Sequence, residues 1–296
     1  MHRCLRTTSA FALRSHLFSG KRYVVPFLVG AFLGFSGLSQ AAEKSLEAST
    51  SNDARAEAIA AIPSKRLDPQ YRQAVRAVLE DTSVFRRLPT KVVACDPAMF
   101  TFMAKNPEVL VQIWRELGIT QVTLERIDAN SFRMADNAGT TGKLVIVEQT
   151  CEENAQNRFV MYAEGSYEGK PFTKPVKAQC VILLRSGSFV ESDGRDYVAA
   201  RLDSFIHIDQ ASLEIFAKVV HPLVGKMADR NFADTVTFVS SFSQAAEIEP
   251  LRIKRLAESL ENVTAPRQRE LAKIAYDCHK NAKVELTAAR SAESAK

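Results

Sequence analysis

Between Thr120 and Ile208 the chain breaks into six runs in which apolar and polar residues alternate: 120–127, 131–136, 143–150, 158–167, 176–190 and 196–208. A period of two is that of a strand with one buried face. Turn-forming stretches separate the runs: Asp128-Ala129-Asn130, 137–142, 152–157, 169–175 and Ser192-Asp193-Gly194. Connections this short join antiparallel neighbours, because a parallel pair needs a long crossover. In the last run Val198, Ala200, Leu202, Ile206 and Ile208 fall on one face, and Tyr197, Arg201 and Asp203 on the other. Gly187, inside the fifth run, marks an expected bulge or bend.

The flanks carry the period of a helix. Asp96-Pro97 and Asn106-Pro107 are one device used twice. A short polar side chain accepts the free backbone N–H groups, and proline opens the helix where its missing N–H costs nothing. Two consecutive helices are predicted, 97–105 and 107–117, burying Phe100, Met103, Leu110, Ile113, Trp114 and Leu117, with Gly118 ending the second. A strand is predicted at 91–95, and a helical stripe of Val75, Val78, Leu79 and Phe85 after Asp68-Pro69. Beyond the sheet, Leu213, Phe216, Val220, Leu223, Met227, Phe238, Phe242 and Ala246 line one side of a long helix over 210–247, with a kink expected at Pro222. Two charged, weakly apolar helical stretches follow, near 251–262 and 266–289, and read as an extension that packs loosely or meets a partner.

The first forty-two residues have a different pattern. Arg3, Arg6, Arg14, Lys21 and Arg22 precede an uncharged run from Tyr23 to Ala42 that ends in Ser39-Gln40-Ala41. That order is the grammar of an export signal. About twenty apolar residues also suffice to span a bilayer, so an uncleaved anchor contacting the membrane through 23–42 is the competing reading. The expected plan is a signal peptide or anchor at 1–42, a flexible polar linker at 43–65, an α+β domain at 66–247 and a helical C-terminal extension at 248–296. The expected location is periplasmic or secreted, with or without the anchor.

The net charge of +5 would suggest a polyanionic partner. However, five of the 39 basic residues lie in the signal, and the remaining 34 equal the 34 acids. A nucleic-acid partner is therefore not expected. Four cysteines remain after the signal, Cys95, Cys151, Cys180 and Cys278, a number that permits disulfides in an exported chain.

Gly139-Thr140-Thr141-Gly142-Lys143 has the look of a phosphate-binding loop, but Asn137 stands where the first glycine belongs, and Leu144 replaces the hydroxyl residue. It reads as a hairpin turn. Gly165-Ser166-Tyr167-Glu168-Gly169 carries its serine one place too early for a nucleophile elbow. His207, His221 and His279 show no ligand spacing, so no metal, cofactor or catalytic residue is expected.

The order strand, two short helices, six antiparallel strands and one long helix resembles the helix-grip architecture of StAR-related lipid-transfer domains and birch-pollen-allergen-type proteins. The resemblance covers residues 91–247. It implies a bent seven-stranded antiparallel sheet around a long C-terminal helix, with an apolar cavity between them. The phrases Arg87-Leu88-Pro89-Thr90, Cys95-Asp96-Pro97, Asn106-Pro107-Glu108-Val109, Ile113-Trp114, 136–142 and Tyr162-Ala163-Glu164-Gly165 are similar to those of an uncharacterised family of exported planctomycete proteins, which carries over no activity.

The expected function is non-catalytic binding of an apolar or lipid-like molecule in the cell envelope. The alternatives are an envelope structural or interaction protein with a solid core, partnered by another envelope protein, and, third, a cavity-based enzyme. If the polar strand faces look inward, Tyr162, Glu164, Tyr197, Arg201 and Asp203 would hold a ligand's polar head, as an Arg201–Glu164 or Arg201–Asp203 group, with Trp114 nearby.

Overall fold

The structure, a computed structural model, describes residues 47–151, 156–169, 174–209 and 221–294, with the side chains of 221–224 and 283–294 left aside. The expected signal or anchor at 1–42, the first part of the long helix and the Pro222 side chain lie outside the described residues.

The architecture is α+β of helix-grip type. Among the described residues eight antiparallel strands form one sheet: β1 (Val84–Arg87), β2 (Lys91–Ala94), β3 (Thr123–Arg126), β4 (Ser131–Ala135), β5 (Thr140–Thr150), β6 (Asn157–Tyr167), β7 (Val176–Val190) and β8 (Asp196–Ile208). The order is β1-β8-β7-β6-β5-β4-β3, and β2 also pairs with β8. β1 takes Asp203 to Ile206 and β2 takes Tyr197 to Ala200, so the two short strands share one edge and the sheet has seven positions. The last six strands follow the alternation in the sequence to within a few residues. Residues 84–87 were expected to continue a helical stripe, yet they form β1, with Phe85 buried against Phe205.

Among the described residues seven helices cover the sheet: α1 (Asn52–Ala60), α2 (Arg72–Glu80), α3 (Pro97–Lys105), α4 (Pro107–Glu116), α5 (His221–Ile248), α6 (Pro250–Ser259) and α7 (Ala265–Ser294). α3 starts as its sequence dictates. The Asp96 carboxylate accepts from Ala98 N at 2.8 Å and Met99 N at 3.1 Å, and Pro97 occupies the first turn. Asp96→Ala should cost about 1 kcal/mol of stability, read as a lower urea midpoint at unchanged slope. Gly118, at φ 69°, ends α4 in the left-handed region.

α3 to α7 pack on the inner face of the sheet. Phe159, Leu184, Val198 and Ala200 from the strands meet Met99, Phe102, Ile113, Phe232, Phe242, Leu260 and Leu271 in one apolar core. α5 is tied to β2 and its following loop through Ser240 Oγ to the Ala94 carbonyl (2.7 Å) and Asp96 N to Ser243 Oγ (3.0 Å). Trp114 packs edge-on against Phe238, ring centroids 5.7 Å apart. Leu117, expected in the core, is exposed at the end of α4.

Three expectations are corrected here. Residues 43–65 are not a flexible linker throughout, because 52–60 form α1, capped by Ser51 and burying Ala54 and Ala58. The segment 248–296 is not a loosely packed extension. α6 and α7 bury Ile253, Ala257, Leu260, Val263, Leu271, Ala275 and Cys278 in the same core as α5. Their apolar residues, few and widely spaced among charged ones, look weak as a stripe yet meet in the core. The irregularity expected at Gly187 falls instead on β5, between Ile146 and Glu148, while Gly187 pairs regularly with Ala199.

The outer face is covered in part by α1 and α2. Ala58, Val75 and Val78 meet Val145, Val160, Tyr162, Val181, Leu183 and Phe205 in a second apolar cluster. The rest of that face, toward the β7–β8 turn, carries Arg201 and Tyr197, while Tyr162, within the cluster, and Glu164 lie toward its other end.

Candidate functional site

Cross-strand partners share a face, so the register places every candidate side chain. Tyr162 opposes Val181, which opposes Phe205, and Asp203 opposes Leu183. These partners belong to the outer cluster. Tyr162, Glu164, Tyr197, Arg201 and Asp203 therefore share the outer face, not the face that α5 grips, and the expected inward-looking head group is not formed there. The alternation shows which residues lie together; it does not show which side the long helix takes. Trp114 lies across the sheet from them, in the inner core.

Glu164 and Arg201 do not meet, since Glu164 opposes Gln179, which opposes His207, three outer-face steps along β8 from Arg201. Glu164 instead accepts from Tyr162 Oη at 2.9 Å, and Gln179 Nε2 donates to the same phenol oxygen at 2.8 Å. Burial, and then the Glu164 carboxylate, raises the Tyr162 pKa well above the usual phenol range. Lys143 Nζ donates to Tyr71 Oη at 2.7 Å, and Tyr71 leans on Tyr162 with ring centroids 5.8 Å apart.

The more unusual arrangement is at the other end. Arg158, Arg185 and Arg201 stand directly opposite one another on β6, β7 and β8. Like charges in that relation repel and must be compensated. Glu148 takes Arg158 through two bonds, 2.9 and 3.1 Å. Asp203, fully buried, accepts from Arg87 Nε at 2.6 Å and Arg185 Nη2 at 2.9 Å. Glu57, from α1, takes Arg185 end-on at 2.6 and 3.1 Å, also pairs with Arg87, and stands 3.4 Å from Arg201 Nη2. The helix missed in the sequence thus supplies the central anion of the group. No sequence signal pointed to it, because Glu57 acquires its meaning from partners up to 144 residues away.

Around Glu57 and Asp203 stand three guanidinium groups, Arg87, Arg185 and Arg201, against two carboxylates. The excess falls on Arg201, whose contacts to Glu57 are long and which is half-buried. Burial, then the Arg185 and Arg87 charges, lowers the Arg201 pKa from its ordinary value; it stays charged, as arginine does. Arg185 is buried, and its Nε has no hydrogen-bond partner.

Glu57 is held at a pKa of about 2, first by its hydrogen bonds to Arg185. A carboxylate depressed on folding stabilises the fold above its ordinary value of 4.5 and loses that contribution as pH falls toward 2. The stability gap between the wild type and Glu57→Gln should therefore be full at pH 6 and close progressively below pH 4.5. Urea titrations at several pH values check it, and a gap constant down to pH 2 would contradict the ion pairing.

Two residues farther along the outer face the surface opens. Gly187 opposes Ala199, which opposes Val92 of β2; Phe189 opposes Tyr197. Phe189 and Tyr197 stack with centroids 6.0 Å apart. Val92 is 49% exposed and Phe189 39%. A Cβ placed on Gly187 would meet nothing within 4 Å. The result is an open apolar shelf with a glycine floor. Arg201 and Arg185 stand one two-residue step from Ala199 and Gly187, about 7 Å along the strands. Tyr197 Oη donates to Asp193 Oδ2 at 3.2 Å at the far end.

Among the described residues no group of three or more His, Cys, Asp or Glu could hold a metal ion, and no helix is long and apolar enough to cross a membrane. The four cysteines after residue 46 are free thiols. Cys278 is buried, and His279 Nδ1 contacts the Glu247 carbonyl. Burial pushes Cys95 and Cys180 up to about 12, and Cys278 higher still. In the folded protein these three should resist iodoacetamide at pH 8 and react only on unfolding. Mass mapping of labelled peptides reads this directly.

The fold and site define a protein of the helix-grip class with an arginine ladder and an apolar shelf on the outside of its sheet. No family model matches the chain. No curated protein matches it either. Among solved structures, a conserved protein from Geobacillus kaustophilus is similar over 53% of this chain and 93% of its own, at 12% identity and a TM-score of 0.27. A likeness that slight says nothing about activity.

Proposed function

We propose that this chain is a non-catalytic binding protein of the cell envelope whose ligand is an apolar, lipid-like molecule lying on the outer shelf. The observation that carries this is the exposed Val92 and Phe189 beside half-buried Tyr197, over the open Gly187 floor, ending at an incompletely neutralised arginine. An apolar surface with one polar end is the chemistry of a site for an amphiphile. Export, the expectation from residues 1–42, would bring the chain to where lipids are at hand.

Native mass spectrometry and lipid extraction of the purified full chain test it. A co-purifying apolar molecule, or saturable uptake of decanoate, is the expected result, and Phe189→Ser should weaken that uptake about tenfold. Absence of any apolar ligand would sink it.

A second reading, an envelope interaction protein with a solid core, is favoured by the inner face, where Phe159, Phe102, Met99 and Ile113 are fully or almost fully buried against five helices. Reproducible cross-links in cells to one protein through the shelf, with no lipid bound, would select it.

A further inference from the structure

We infer that Arg201 and Arg185 form a binding site for the anionic head of an amphiphile, a phosphate or carboxylate, and that Glu57 of α1 is its built-in competitor. The inference deepens the shelf reading and rests on it for the apolar part of the ligand. Three observations converge. Three guanidinium groups face two carboxylates, so the group holds a net positive charge on a sheet face that is partly open. Buried Arg185 leaves its Nε without a partner, a donor that folding has desolvated and not repaid. Arg201 reaches Glu57 only at 3.4 Å through Nη2, so it is weakly engaged although half-buried.

The carboxylate of Glu57 already shows what the site accepts. It lies end-on to Arg185, the two-bond geometry by which guanidinium recognises carboxylate and phosphate. Yet the Glu57 side chain is about half exposed, open to solvent on one side. An arriving oxyanion can therefore share the guanidinium groups with it or displace it, while Asp203 stays buried and keeps Arg87 in place. The apolar shelf begins beside Arg201 and runs away from Glu57 toward Phe189 and Tyr197, so a chain attached to the head group has a surface to lie on.

Titration calorimetry of the full chain with decyl phosphate, decanol and inorganic phosphate tests this. Decyl phosphate should bind about tenfold or more tighter than decanol, as expected for one charge-assisted pair. Arg201→Gln, a half-buried position, should abolish that preference by weakening decyl phosphate far more than decanol. Glu57→Gln should tighten decyl phosphate several-fold by removing the competitor. Equal binding of decyl phosphate and decanol, or an unaltered preference in Arg201→Gln, would overturn the head-group site and leave the shelf standing. Binding of inorganic phosphate lost in Arg201→Gln, with neither decyl compound bound any tighter, would keep the oxyanion site and remove the lipid reading. No heat with any of the three would remove both.

Discussion

Asp203→Ala is expected to lower stability by about 3–5 kcal/mol, the usual cost of removing one partner from a buried ion pair. The side chain is completely buried and accepts from two guanidinium groups, Arg87 and Arg185. Both lie mostly out of water, and with Asp203 gone they share Glu57 alone. The penalty arises from the stranded positive charges more than from the lost attraction. A second variant separates these causes. Asp203→Leu combined with Arg185→Met removes charge from both sides of the pair and should recover most of the loss. Urea unfolding followed through Trp114 fluorescence gives both values. A loss under about 1 kcal/mol for Asp203→Ala would place water in the group and undercut its description as buried.

Phe159→Ala should cost about 3–5 kcal/mol, near the upper end for a buried aromatic. Phe159 has no exposed surface and sits on the inner face of β6, in the core formed with α3 to α7. Five helices packed over the sheet leave little freedom to collapse into the gap, so the cavity remains and its cost adds to the lost transfer energy. Phe159→Leu, which keeps most of the volume, should lose less than half as much. The same urea titration decides. A small effect for alanine would mean that the inner face is soft or holds space already, which would shift the search for a ligand from the outer shelf back to the face beneath α5.

The elements whose cues are local were legible in the sequence. Asp96-Pro97 opens α3 through backbone chemistry that needs no distant partner, and Pro107 opens α4, but Asn106 does not cap it as expected: its Oδ1 accepts from Arg126 and Arg267 instead. β5 to β8 are long enough for alternation to show, and their turns are short. What escaped depends on contacts far along the chain. α1 reads as a polar Ala- and Glu-containing stretch because its fixing interaction, Glu57 with Arg87 and Arg185, joins residues 30 and 128 positions apart. β1 has four residues, two of them arginine, too few for a period to register. The candidate site was half legible. Alternation put Tyr197, Arg201 and Asp203 together, and the register confirms the grouping. The side they face is set by where α5 docks, which no periodicity within β8 records. Phe189 and Val92 were not singled out, and Gly187 only as an expected bend, since β2 and β7 lie far apart in the chain and these residues gain their role only when β2, β7 and β8 are side by side.

The way the sheet ends also bears on how the protein behaves when crowded. One border of β8 is closed by two separate four-residue pieces, and the opposite border is β3, also four residues, with Glu125 and Arg126 among them. A growing intermolecular sheet needs a long, flat, uncharged row of free backbone groups to start on. Neither border supplies one, while the fifteen-residue β7 is enclosed between β6 and β8. The molecule can thus keep an apolar shelf exposed on its broad surface without offering its rims as a template for fibres.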